Sequence, residues 1–141
     1  MKHYQPNRKG FIVYLLGIFI IIPITACLLD NSIITDKPFI LLPLLSPFLL
    51  VLWIYVSTTY RIDNTTLYYK SGFLRGKVEI SKIREILKGK TMWSGTAKAA
   101  MAKNGLIIKY NKYDEVYIAP VSNEKMIEDL LTVNSNIKIS E

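Results

Sequence analysis

Residues 11–29 read FIVYLLGIFIIIPITACLL and residues 38–56 read PFILLPLLSPFLLVLWIYV. No ionisable Asp, Glu, Lys or Arg interrupts either run, and the charge-free stretches extend from Gly10 to Leu29 and from Pro38 to Tyr60. A helix over the first run, at about 1.5 Å per residue, is roughly 28 Å long, close to the ~30 Å of hydrocarbon in a bilayer. In lipid every backbone polar group must be bonded within its own segment, so both runs read as transmembrane helices. Pro23, Pro43 and Pro47 fall inside them and predict kinks. Pro38 suits a first helical turn, where its missing N–H costs nothing. Trp53, Tyr55 and Tyr60 cluster where the second run ends and are expected to anchor it at a membrane interface.

The connection at residues 30–37 is too short for anything but an antiparallel pair. Lysine and arginine set its orientation. The tail at residues 1–10 carries Lys2, Arg8 and Lys9, the connection only Lys37, and the segment beyond the second run Arg61, Lys70, Arg75, Lys77 and more. The cation-rich ends are expected in the cytoplasm and the connection outside. The organisation is thus a cytoplasmic tail (1–10), a first span (11–29), an external loop (30–37), a second span (38–56) and a polar domain (57–141). A second reading takes the basic tail, the first run and Ile24-Thr25-Ala26-Cys27 as a lipoprotein signal with an acylated Cys27. Ile24 at the third position before the cysteine and the immediate second span favour the plainer reading, a small residue inside a membrane helix.

The chain re-enters water with almost no linker, and strand signals begin at once. Residues 58–62 and 66–70 are rich in β-branched and aromatic side chains, with Asp63-Asn64 as the turn between them. Residues 77–80 alternate, with Val78 and Ile80 facing in. Residues 83–87 fit a strand or a short helical turn. Residues 106–110 and 115–119 flank Asn111-Lys112-Tyr113-Asp114, a hairpin loop. Pro120 ends the last strand of this series, and Ser122 is placed to cap a helix whose first turn holds Glu124. Met126, Ile127, Leu130 and Leu131 form its apolar stripe, opposite Glu124, Lys125, Glu128 and Asp129. Ile137 and Ile139 suggest a short extended tail. Several antiparallel strands closed by one amphipathic helix make an α+β fold.

Together the run Thr59-Tyr60-Arg61-Ile62-Asp63, the small-residue segment Ser94-Gly95-Thr96-Ala97-Lys98-Ala99, the strand Gly105-Leu106-Ile107-Ile108-Lys109-Tyr110, and Ile118-Ala119-Pro120 leading into the helix resemble the bacterial pleckstrin-homology-like domains of the YyaB type. The resemblance covers residues 57–139. It implies a strongly bent, seven-stranded antiparallel β-barrel capped by the C-terminal α-helix, preceded by two transmembrane helices in the cytoplasmic membrane of a bacterium. It brings no functional residue with it. The sequence also departs from the lipid-binding eukaryotic relatives of that fold, whose first hairpin loop holds a basic phosphate-gripping cluster. Here that turn is the short, acidic Asp63-Asn64, which argues against inositol-phosphate recognition there.

No catalytic constellation is visible. His3 lies in the tail with no acid or nucleophile nearby in sequence, and one Cys and one His cannot make a zinc site. Neither a metal nor another cofactor is expected, nor is enzymatic activity. Charge has more content: residues 61–112 hold twelve Lys/Arg and three acids, residues 113–141 two Lys and six acids. A basic surface beside a bilayer is drawn to anionic headgroups. Nucleic acid fits poorly, because no stacking platform or groove-reading helix accompanies the charge. The long irregular stretch 91–103 is the expected binding surface, with Lys90, Trp93, Lys98 and Lys103 as its candidate contacts. The expected function is a membrane-anchored, non-enzymatic module that binds a protein partner at the membrane or the anionic inner leaflet. The alternative is an immunity factor against a membrane-active peptide.

Overall fold

A computed structural model describes residues 1–95 and 97–141. In chain order it contains β1 (Lys2–Tyr4), α1 (Phe11–Leu29), a one-turn α2 (Ser32–Thr35), α3 (Leu41–Ser57), β2 (Thr59–Asp63), β3 (Thr66–Ser71), β4 (Leu74–Glu79), β5 (Ile83–Lys90), β6 (Gly105–Tyr110), β7 (Asp114–Ile118), α4 (Asn123–Val133) and β8 (Lys138–Ser140). A 3₁₀ turn at Pro38–Ile40 leads into α3, so the second apolar helix runs continuously over Pro38–Ser57. Both helices are long and apolar enough to cross a membrane. They pack on each other and expose most of their apolar side chains, Leu28, Leu29 and Leu42 above all. Inside α1 the Thr25 hydroxyl shares its proton between the carbonyls of Ile21 and Ile22 at 3.1 and 2.9 Å, which satisfies the one donor on that side chain.

The polar part is α+β, as expected. Its strands form two four-stranded sheets, β1-β2-β3-β4 and β7-β6-β5-β8, rather than one closed barrel. All pairings are antiparallel except that of β5 with β8. The core lies between the sheets: Tyr60, Ile62, Leu67 and Val78 from the first, Ile83, Ile86, Leu106, Ile108, Val116 and Ile118 from the second. The alternation that buries them exposes Thr59, Arg61, Lys70, Arg75 and Lys77 on the opposite side of the first sheet. Residues 83–87 resolve as strand, because β5 has neighbours on both sides and bends through two register shifts.

α4 closes the open end of the core. Ser122 caps it, its hydroxyl accepting from the Lys125 amide at 3.2 Å. Met126, Ile127 and Leu130 are buried, each contributing about 1.5–3 kcal/mol of apolar transfer. Asn134, just past the helix, donates through Nδ2 to the carbonyls of Ile80 and Ile83, tying the helix end to the corner between β4 and β5.

Two features were not expected from the sequence. The first is that the N-terminal segment belongs to the first sheet. Lys2, His3 and Tyr4 pair with Ile62, Arg61 and Tyr60. Beyond β1, the Asn7 amide donates to the Ala119 carbonyl at 2.7 Å and the Val121 amide to the Gln5 carbonyl at 2.9 Å. Lys2 and Tyr4 both reach the carboxylate of Asp129 on α4. The apolar hairpin is therefore inserted between the first and second strands of one sheet.

The second is the close packing of the small residues after β5. Ala99, Ala100 and Ala102 are buried, and Tyr117 exchanges backbone bonds with Ala97 and Ala99 along the β7 edge. The Tyr117 hydroxyl donates to the Ala102 carbonyl at 2.6 Å and accepts from the Gly105 amide at 3.1 Å. A Cβ on Gly105 would stand 2.3 Å from the Ile118 carbonyl oxygen.

Gly105→Ala is expected to destabilise the domain by about 3 kcal/mol, because the obstacle is backbone and cannot swing away. A clear fall in the thermal midpoint of the detergent-solubilised full chain checks it. A second expectation concerns Asp129, whose carboxyl is held below the usual carboxylate range by its hydrogen bonds from Lys2 and Tyr4. A lowered folded pKa stabilises above the unfolded value of about 4 and is lost as pH falls through the lowered value. Amide protection of β1, corrected for intrinsic exchange, should therefore be full at neutral pH and fall below about pH 4. In Asp129→Asn it should be reduced already at neutral pH, with the acid step gone.

Candidate functional site

The end of the domain from which α1 and α3 emerge is where its exposed chemistry gathers. α3 ends at Ser57 and β2 begins at Thr59, so the junction has no slack. Three side-chain hydroxyls lock it. Thr58 Oγ1 donates to the Ile54 carbonyl at 2.7 Å and lies 2.9 Å from Ser71 Oγ, while Ser57 Oγ accepts from the Gly72 amide at 2.9 Å. The turn between β3 and β4 is thereby fastened to the last turn of α3. Gly72 is needed there, since its φ is +58° and a Cβ would meet the Ile54 side chain at 2.7 Å. The turn projects Phe73, which is 78 % exposed and packs edge-on against Trp53 with ring centroids 4.4 Å apart.

Behind that turn the cations form rows across the first sheet. Thr59, Lys70 and Arg75 are cross-strand neighbours in the row next to the turn. His3, Arg61, Tyr68 and Lys77 make the next row, with the Arg61 guanidinium 4.7 Å from the Tyr68 ring centroid. Asp63, Thr66 and Glu79 make the third, at the far end of the strands. Rows are about 7 Å apart along a strand, so positive charge lies toward the helices and negative charge away from them. A concavity of about 320 Å³ opens over the first two rows, lined by His3, Thr59, Arg61, Tyr68, Lys70 and Arg75 among others.

The residues anticipated from the sequence are placed differently. Trp53 is partly exposed against Phe73, and Tyr55 lies under the Arg8 guanidinium at 5.1 Å. Tyr60 corrects the expected aromatic anchor group. It is almost fully buried, its hydroxyl donating to the Ala99 carbonyl at 2.6 Å and accepting from the Ala119 amide at 3.3 Å. Burial pushes that hydroxyl's pKa well above the ordinary phenol value. Trp93 is 79 % exposed and has Lys103 Nζ 5.9 Å from its ring centroid. Lys90 is where the chain leaves β5, opposite Gly105, and Lys98 runs beside Tyr117. The small residues around them serve the packing on β7, and Thr96 lies outside the described residues.

Sequence reading did not single out the Lys70–Phe73–Arg75 hairpin. The available signal was that the outward positions on either side of this turn, Lys70 and Arg75, are both cations beside the exposed Phe73. No group of His, Cys, Asp and Glu among the described residues could hold a metal ion. Two further phenols are shifted by their packing: half-buried Tyr110 is pushed up to about 12, mainly by desolvation, and Tyr4 rises through burial and the neighbouring Asp129 carboxylate.

Comparison with known proteins agrees with this architecture. The bacterial PH domain family matches residues 58–134. An uncharacterized protein YyaB from Bacillus subtilis (strain 168) is 28 % identical over 102 residues, covering 72 % of this chain and 68 % of that one. No solved structure matches. The match spans the domain from the end of α3 to the end of α4, and on it the chain belongs to the bacterial PH domain family.

Proposed function

We propose that the chain is a membrane-anchored, non-enzymatic module whose PH-like domain rests on the anionic inner leaflet of the bacterial cytoplasmic membrane. The observation that carries this reading is the order of charge along the first sheet. Lys70 and Arg75 adjoin the turn fastened to α3, Arg61 and Lys77 lie one row behind, and Asp63 and Glu79 stand farthest away. Screening in the cell has a length of about 8 Å, so only charge in the rows nearest a bilayer is felt by it. A cation there contributes about 1 kcal/mol, and the acids are kept out of range.

The rest of the architecture fits that placement. The pairing of β1 with β2 requires the N-terminal segment and the domain to share one compartment, as a two-pass hairpin does. The cation bias favours the cytoplasm as that compartment. The Phe73–Trp53 pair sits where the helix leaves the apolar layer, the position interfacial aromatics favour. PH-like domains are in general binding modules, and the one bound surface argued here is the leaflet itself. The exposed Trp93 beside Lys103 supports a second reading, a protein partner docked on residues 91–103.

Topology has a direct test. In a Cys27→Ser background, Ser32→Cys should react with a membrane-impermeant maleimide in intact cells, and Ser135→Cys only after lysis. The reverse pattern would overturn the orientation. Docking is tested by hydrogen exchange of the full chain in nanodiscs. Amides of residues 71–74 should exchange several-fold more slowly in phosphatidylglycerol than in phosphatidylcholine. The difference should vanish near 1 M salt, where screening shortens to about 3 Å. Equal exchange in both lipids, together with a discrete protein adduct photocrosslinked from Trp93, would replace this reading with the partner one.

A further inference from the structure

The first sheet contains an arrangement that a folded domain avoids without a reason. Lys70 and Arg75 are direct cross-strand partners on β3 and β4, and both side chains are exposed on the same outward face. Like charges directly opposite each other destabilise a sheet. In the next row Arg61 is flanked by His3 and Tyr68, again without an acid. Four cations elsewhere are paired with a carboxylate: Lys109 with Glu85 at 3.0 Å, Lys88 with Glu124 at 3.0 Å, Lys82 with Glu79 at 2.9 Å and Lys2 with Asp129. Among the described residues no carboxylate lies within salt-bridge distance of Arg61, Lys70, Arg75 or Lys77.

We propose that this face is a headgroup site, in which the phosphodiester of one anionic phospholipid is held between Lys70 and Arg75. Arginine supplies a planar fork that can take two phosphate oxygens, and lysine a compact charge on the other side. Thr59, the cross-strand neighbour of Lys70, offers a hydroxyl to a third oxygen, and Arg61 adds positive potential from the row behind. The concavity over these residues has room for a small polar headgroup. Phe73, two residues before Arg75 and exposed beside Trp53, gives the lipid's glycerol and upper acyl region an apolar contact. The occupant is a lipid rather than a free phosphate compound because the site adjoins the turn clamped to the end of α3. The site differs in place from the first hairpin turn at Asp63-Asn64, which is at the other end of these strands.

The inference rests on the leaflet-docking reading but fails separately from it. The full chain is purified in an uncharged detergent, and binding of short-chain phosphatidylglycerol is titrated by native mass spectrometry, with phosphatidylcholine as control. Wild type should retain one phosphatidylglycerol preferentially. The Lys70→Gln/Arg75→Gln variant, altered only at exposed positions, should lose roughly 25-fold in affinity, about fivefold for each cation removed. Lys90→Gln/Lys98→Gln/Lys103→Gln should bind like wild type, and an unchanged thermal midpoint confirms that each variant is folded. Full retention by the Lys70/Arg75 variant would overturn the site, and leaves docking standing if the exchange difference at residues 71–74 persists in it. Equal competition by soluble glycerophosphoglycerol would also overturn it, because the ligand would then be a free phosphodiester. Loss of preference only in the triple variant would move the site to residues 91–103.

Discussion

The structure depends on a backbone bracket. Three residues at the start of the chain pair with the strand that follows the second apolar helix, and two more bonds join residues 5 and 7 to residues 121 and 119. Everything between, two long helices and their connection, is an excursion that leaves the first sheet and returns to it. Tyr4 and Tyr60 are neighbours because of that return, and both are buried. The helical hairpin and the domain are for this reason a single folded unit with no tether between them.

The second constraint follows from the first. A helix that runs straight into a strand transmits its orientation only if the joint is stiff. Here the joint is made of short hydroxyl bonds at Ser57, Thr58 and Ser71, a glycine pressed on Ile54, and an aromatic pair. Which face of the first sheet turns toward α3 is then fixed by β3 and β4, whose outward positions are Thr66, Tyr68 and Lys70 on one strand and Arg75, Lys77 and Glu79 on the other. Sequence alternation thus decides the chemistry presented at that end, by the same period that places Leu67, Tyr69 and Val78 in the core.

Local order was legible in the sequence. The apolar runs, strands β2, β3, β4, β6 and β7 and the capped helix at Ser122 are signalled within a few residues, by hydropathy, by period or by a cap, whereas residues 83–87 fit a strand or a helical turn until the pairing of β5 decides it. What escaped is non-local. Lys2-His3-Tyr4 is too short and too polar to read as a strand, and its partner lies beyond both long helices. Tyr60 shares its neighbourhood in sequence with Trp53 and Tyr55, but the first inward position of β2 takes it into the core. The small residues of the stretch 91–103 allow close backbone approach to a ligand or to a neighbouring strand, and Tyr117 decides the matter by packing on Ala100 and Ala102. The hairpin at Phe73 carried a signal only as part of a sheet face, which needs the register of β3 and β4.

The bracket also bears on how the chain folds. Joining strands separated by residues 5–58 in an unfolded chain costs on the order of 3–4 kcal/mol of closure entropy. If α1 and α3 pair as an inserted hairpin first, their paired ends bring Arg8 over Tyr55, and most of that cost has already been met. The N-terminal strand then waits beside the exit of α3 for β2 to emerge. On the proposed membrane-anchored reading, insertion of the hairpin is the nucleation step of a β-sheet outside the bilayer.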